Sequence, residues 1–144
     1  MRKLVAALAC RNKGKRLYGK PLQNLDIEHG VSILDNIISC LKQMPMIDSI
    51  VLGVAEGLEN DVFVEYAQAN NIGCIRGEEE DVLERLILCG DLEGATDIFR
   101  STSESPFPYF DLINDAWDKH IENNNDATFL DDIIDGCGFE ILSL

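Results

Sequence analysis

An α/β fold is expected, three layers deep, with helices on both faces of a mainly parallel sheet. One observation behind this is the alternation of short apolar runs with longer segments whose apolar residues recur at helical spacing, which means βαβ units. Another is the first run, Leu4–Cys10, which reads as a buried strand and leads straight into a glycine-containing basic loop. The chain also shows no internal repeat, linker or low-complexity tract, so residues 1–144 are taken as a single domain large enough to bury a core.

After Leu4–Cys10, residues 32–44 carry Leu34, Ile37, Ile38, Leu41 and Met44 on one helical face, with Ser32 as N-cap and Asp35 in the first turn. Ser49–Val54 is a second strand. Asn60 is placed to cap a helix running to Asn70, with Val62, Phe63, Tyr66 and Ala67 inward. Ile72–Arg76 is a short third strand. Asp81–Cys89 is helical, with Val82, Leu83, Leu86 and Ile87 on its apolar side. Asp97–Thr102 is a fourth strand. Pro106 and Pro108 stop the chain and open a helix over 109–123 built on Phe110, Ile113, Trp117 and Ile121. Ala127–Leu130 and Phe139–Leu142 are strands near the end. In a Rossmann-like sheet of this kind, ligands bind beyond the carboxyl ends of the strands, near the switch in strand order. The loops at 11–20, 54–59, 76–80 and 103–108 all follow strands and share that edge.

Charge is distributed unevenly. The first twenty residues hold seven of the twelve Lys and Arg and no acid, while the remainder holds all 26 acids. Cations and free backbone N–H groups converge where a strand ends in such a loop, a natural place for phosphate. A net charge of −14 excludes general nucleic-acid binding, which needs a larger basic face. No stretch approaches the ~20 apolar residues of a membrane span. The five cysteines form no C-x-x-C pair, so reduced thiols in a cytoplasmic setting are expected. His29 and His120 stand alone, without a partner at ligand or triad spacing. No dinucleotide or P-loop fingerprint follows the first strand.

The segment Cys10-Arg11-Asn12-Lys13-Gly14-Lys15-Arg16-Leu17-Tyr18-Gly19-Lys20-Pro21-Leu22 resembles the first motif, A-R-x-G-S-x-R-L-P-G-K, of the cytidylyltransferases that activate sugar acids. That family includes the acylneuraminate, 3-deoxy-manno-octulosonate and spore-coat polysaccharide types. Arg76-Gly77-Glu78-Glu79-Glu80-Asp81-Val82-Leu83-Glu84-Arg85 is similar to its R-G-x-x-x-D-V-L-x-R segment, and Arg100-Ser101-Thr102-Ser103-Glu104-Ser105-Pro106 to R-x-T-G-D-x-P. The resemblance implies a nucleotide-diphospho-sugar transferase fold. It implies CTP and a sugar acid as substrates, Mg²⁺ as cofactor, pyrophosphate release and a homo-oligomer.

Under that resemblance Arg11, Arg16 and Lys20 neutralise the triphosphate, and Arg side chains suit forked phosphate contacts. Lys13, Gly14, Lys15, Arg76, Asp81, Arg85 and Arg100 contact nucleotide or sugar, and Glu104 stands at the metal-binding aspartate. Some positions depart from the pattern. Lys13-Gly14 replaces Gly-Ser, Tyr18 replaces proline, and Gly138 stands where a second metal ligand is expected. The chain ends soon after Glu140, where family members continue, so an incomplete domain with impaired catalysis and an under-covered last strand is expected. A non-catalytic nucleotide or sugar-phosphate binder is one alternative. A nucleotide-sugar glycosyltransferase using Asp131, Asp132 and Asp135 is another.

Overall fold

Four strands pair in parallel in the computed structural model, which describes residues 1–14 and 17–144. In chain order the elements are β1 (Leu4–Cys10), β2 (Asn24–Asp26), β3 (Val31–Ser32), α1 (Ile33–Lys42), β4 (Ile47–Ala55), α2 (Asp61–Asn70) and β5 (Gly73–Gly77). They continue with α3 (Val82–Glu93), β6 (Asp97–Thr102), α4 (Ile113–Glu122), β7 (Ala127–Phe129) and β8 (Glu140–Ser143). The main sheet has the order β5-β4-β1-β6-β8-β7. Its first four strands are parallel; β8 runs antiparallel to β6 and β7 antiparallel to β8. The expected mainly parallel sheet is present, with an antiparallel margin. The small β2–β3 hairpin was not foreseen: its strands are too short to show a period.

β1 explains why the sheet is covered on both faces. Leu4, Ala6, Leu8 and Cys10 join the core beneath α1, α2 and α4, while Val5 and Ala7 join the core beneath α3. That is period-two alternation with both faces apolar, as a buried parallel strand requires. α1 starts with a full capping box: Asp35 N donates to Ser32 Oγ at 3.0 Å, and Ser32 N donates to Asp35 Oδ2 at 2.8 Å. Tyr66 of α2 donates its hydroxyl to Asp35 Oδ1 at 2.7 Å, tying the two helices together. Burial pushes the Asp35 carboxyl up, but the Tyr66 and Ser32 hydrogen bonds outweigh it and leave the pKa below the ordinary value.

Several inward faces differ from expectation. On α3, Arg85, Leu86, Cys89 and Gly90 are buried, whereas Leu83 and Ile87 are exposed, so the helix is rotated by about one position. α4 begins at Ile113, and Ile113, Ala116 and His120 face inward while Ile121 is exposed. Asn60 precedes α2 without a side-chain cap, because its carboxamide is used elsewhere. In the last strand, expected to be under-covered, Ile141 and the preceding Phe139 are buried, while Leu142 is half-buried. Phe139 stacks on Phe99 at 4.8 Å between ring centroids, and Phe110 meets Phe99 edge-on at 5.2 Å. Such pairs add about 0.5–1.5 kcal/mol each beyond area burial.

His120 is also not alone. Fully buried, it contacts Asp97 Oδ1 at 3.1 Å and Ser143 Oγ at 3.2 Å through Nε2, and Thr128 Oγ1 at 2.8 Å through Nδ1. Arg2 pairs with the same Asp97 oxygen at 2.6 Å. Asp97 and Ser143 share one ring nitrogen, so this is not the relay geometry of a nucleophilic triad, in which base and orienter hold opposite nitrogens. It is a polar lock between β6, α4 and β8 at the edge opposite the strand exits.

Candidate functional site

Register sets the site. Cys10 lies opposite Val54, Ala55 opposite Gly77, and Ala9 opposite Thr102, so β1, β4, β5 and β6 leave the sheet along one edge. From β1 the chain steps to β4 and β5 on one side, then to β6 on the other, so the topological switch lies between β1 and β6. Ser103 donates its hydroxyl to Ala9 O at 2.8 Å and fastens the β6 exit to β1 there.

The basic loop is anchored by Asn12, which is buried. Its N–H donates to Asn60 Oδ1 at 2.7 Å, and its carboxamide donates to the Glu59 carbonyl. Its own carbonyl accepts from Gly14 N at 3.0 Å and Gly19 N at 2.9 Å, so the loop closes on its root. Closure requires left-handed backbone at Gly19 (φ 62°), which glycine adopts at no steric cost. Lys20-Pro21-Leu22 then forms a 3₁₀ turn. The expected contacts of Lys15 and Arg16 lie outside the described residues.

The described loop cations each meet an acid from a different strand-exit loop. Lys13 Nζ lies 2.8 Å from Glu59 after β4, Arg11 Nη1 lies 3.6 Å from Glu79 after β5, and Lys20 Nζ lies 3.9 Å from Glu104 after β6. The Lys13 hydrogen bond holds the Glu59 carboxyl below its ordinary range and raises the ammonium in turn. Glu104 is thus on the expected edge and beside the basic loop. Its N–H donates to Thr102 Oγ1 at 3.2 Å. Among the described residues no group of three or more His, Cys, Asp or Glu is placed to hold a metal ion. One carboxylate beside a cationic loop still fits magnesium, which commonly takes one or two carboxylates and fills its shell with phosphate oxygens and water.

The other expected contact residues divide. Arg76 pairs with Asp61 and donates to Gly57 O at 3.3 Å, at the outer margin of β5. Asp81 is the N-cap of α3, accepting from Glu84 N at 2.9 Å. It makes no side-chain pair with Arg85. Arg85 is 2% exposed and bonds backbone carbonyls, a framework position rather than one open to ligand. Burial lowers its pKa. Arg100 pairs with Glu140 at 2.7 Å across β6 and β8 and lines a cavity of about 320 Å³ with Thr102, Phe129, Ile134, Gly138 and Phe139. Burial pushes the Cys10 thiol up to about 12, so it is no nucleophile at neutral pH.

Asn12, Glu59, Asn60, Glu79 and Ser103 were missed. A signal for two of them exists: Glu59 and Glu79 sit in acidic stretches that begin at strand exits opposite a loop of pure positive charge.

No protein-family model and no curated protein matches the chain. Solved structures do match in fold. A cytidylyltransferase from Leptospira borgpetersenii is similar with a TM-score of 0.85 and 20% identity, over 99% of this chain and 61% of that one. A CMP:2-keto-3-deoxy-manno-octonic acid synthetase complexed with CTP is similar with a TM-score of 0.72 and 14% identity, over 87% of this chain and 50% of that one. The 2-C-methyl-D-erythritol 4-phosphate cytidylyltransferase of Francisella tularensis gives 0.55 and 15%, over 99% of this chain and 65% of that one. The chain therefore spans about half to two thirds of the length of these proteins and has the α/β fold of cytidylyltransferase structures.

Proposed function

We propose that this domain binds a nucleoside triphosphate, CTP in particular, along the strand-exit edge and transfers CMP to a hydroxyl of a sugar acid. The observation that carries the reading is the fan of Arg11, Lys13 and Lys20 from one loop beside the β1/β6 switch, with Glu104 facing Lys20. In such a transfer the acceptor oxygen bonds to the α-phosphorus, the bond to the β-phosphate bridge breaks, and pyrophosphate leaves while the hydroxyl proton is lost. The protein's task is positioning and charge neutralisation. Arg11 and Lys20 exchange their glutamate partners for phosphate oxygens. Glu104, released by Lys20, is the residue that would hold magnesium, which when bound neutralises charge on the phosphates. The Arg100–Glu140 cavity opens on the β6 side and suits a polar acceptor with a carboxylate.

Gly138 in the cavity wall offers no carboxylate, which favours nucleotide binding with slow turnover. Self-association belongs to the same proposal: Phe129 and Ile134 are exposed at the rim of that cavity, and sedimentation velocity tests it. A cytoplasmic setting and a role in surface polysaccharide synthesis belong to the same reading. In support, all five cysteines are free, and no helix among the described residues is long and apolar enough to cross a membrane.

The function is tested by pyrophosphate release with each of the common nucleoside triphosphates, magnesium and a panel of sugar acids, with products read by mass spectrometry. CTP-dependent release and a CMP-sugar are expected. Failure of every triphosphate to bind in calorimetry overturns the proposal. Cleavage of a nucleotide sugar instead would favour a glycosyltransferase.

A further inference from the structure

We propose that Arg85 is a positioning residue of the strand-exit edge. It touches no ligand, and it ties the exits of β1 and β4 and the loop after β5 into one floor beneath the basic loop. The inference rests on the reading that this loop takes the phosphates of a nucleotide.

Arg85 Nη1 donates to Gly53 O at 2.9 Å and Cys10 O at 3.3 Å, while Nη2 donates to Glu79 O at 3.1 Å. These carbonyls belong to three separate segments. Cys10 is the residue before Arg11, and Glu79 is the residue whose carboxylate pairs with Arg11. The guanidinium therefore fixes from below the backbone on both sides of that ion pair.

Two glycines make room for its stem. A Cβ at Gly77 would stand 2.6 Å from Arg85 Cγ, and one at Gly53 would stand 3.4 Å from Arg85 Cβ and 3.1 Å from Cys89 Sγ. Gly53 and Gly77 sit on neighbouring strands and open a groove in which the side chain lies. The groove accounts physically for the glycine after Arg76, which a strand otherwise disfavours.

Core packing alone does not account for this residue. Burying a charge is costly and is often matched by an apolar residue of similar volume. Here the partners are carbonyl dipoles, and among the described residues the buried Nε has no partner. A leucine would fill the groove without that orphan, but it could not cross-link three strand exits. The fork of the guanidinium can, because its donors are fixed in one plane.

The test uses Arg85→Met, which keeps the stem and deletes the guanidinium, and Arg85→Lys, which keeps the charge and loses the fork. Amide hydrogen exchange of the free protein is followed at 11–14 and 78–80 and compared with 140–143, together with calorimetric titration of magnesium–CTP. For Arg85→Met we expect exchange on the order of tenfold faster at 11–14 and 78–80, unchanged exchange at 140–143, and a Kd for magnesium–CTP raised about tenfold. Arg85→Lys should recover only part of each effect. Unchanged exchange at 11–14 and 78–80 would identify Arg85 as a ligand contact or a bystander and overturn the proposal. A uniform rise everywhere, or local loosening with unchanged affinity, overturns it as well. If Arg85→Met does not fold, Arg85→Lys is judged by the same criteria. If the wild type binds no magnesium–CTP, the proposed function fails, and the pinning role stands or falls on the exchange pattern.

Discussion

Removing an acid should tighten the binding of an acid. Glu79 pairs with Arg11 at 3.6 Å, with both side chains about one third exposed at 37% and 32%. Any polyphosphate that uses Arg11 must first displace that carboxylate. Exposed pairs of this kind contribute about 0.2–1 kcal/mol, because solvent screens the attraction and two side chains are ordered to make it. Glu79→Gln removes the competitor and leaves the cation, so the Kd for inorganic tripolyphosphate should fall by about 1.4–5-fold. Calorimetry at low salt with a chelator measures this. The gain should shrink at high salt, where exposed charges are screened. Glu104→Gln separates the two roles given to that residue. Without magnesium it should tighten polyphosphate by freeing Lys20; with magnesium it should lose the enhancement that the wild type shows. If Glu79→Gln weakens or leaves unchanged the affinity, the loop cations are partners of the acidic loops only and the phosphate site is wrong.

Asp35→Ala removes the capping box and the acceptor for Tyr66, and should cost about 1–3 kcal/mol in chemical denaturation. The folded-state pKa of Asp35 is depressed, so its contribution is full above the unfolded value of about 3.9 and fades as pH falls through the folded one. The gap between Asp35→Ala and wild type should therefore close in acid, and a pH-independent gap would refute the linkage. Phe139→Ala empties the centre of the aromatic cluster and should cost about 3–5 kcal/mol; a loss under 1 kcal/mol would mean that β8 is not held by it. Asp97→Ala strips a buried partner from both His120 and Arg2 and should cost about 3–5 kcal/mol in urea unfolding, while a near-neutral result would show the polar lock to be dispensable.

Most of the frame could be read from spacing. β1 falls where its apolar run begins and ends, β6 spans the expected Asp97–Thr102, and α1 starts at the cap that Ser32 and Asp35 announce. The misreadings share a cause. On α3, Leu83 and Ile87 look like a core stripe, but the groove opened by Gly53 and Gly77 lets Arg85 turn inward and rotates the helix. Nothing in periodicity marks an arginine as buried, since charged residues sit at the surface by default. The same holds for His120, whose partners Asp97 and Ser143 lie far away in the chain. At the site, the cations of the loop were visible as composition, and Glu104 through resemblance. Glu59 and Glu79 show only as members of acidic stretches at strand exits, because which acid meets which cation depends on strand order, and strand order is not a local property. A strand over Phe139–Leu142 is legible in the sequence, but its antiparallel direction is not, for the same reason.

The place of β1 in the sheet has a consequence for how the chain reaches its fold. β1 is synthesised well before both of its neighbours: Leu4 pairs in register with Ile47 on one side and Asp97 on the other. Pairings so distant in sequence form slowly, because the loop-closure cost is met before the contact rewards it. On the ribosome, at about 5–20 residues per second, the most apolar strand of the molecule waits seconds for β4 and longer for β6. During that interval the adjoining basic loop gives it chemical protection, because the loop's like charges repel other copies of itself. The cations proposed to receive phosphate in the finished protein would then already have served a nascent one, by keeping an unpaired strand in solution.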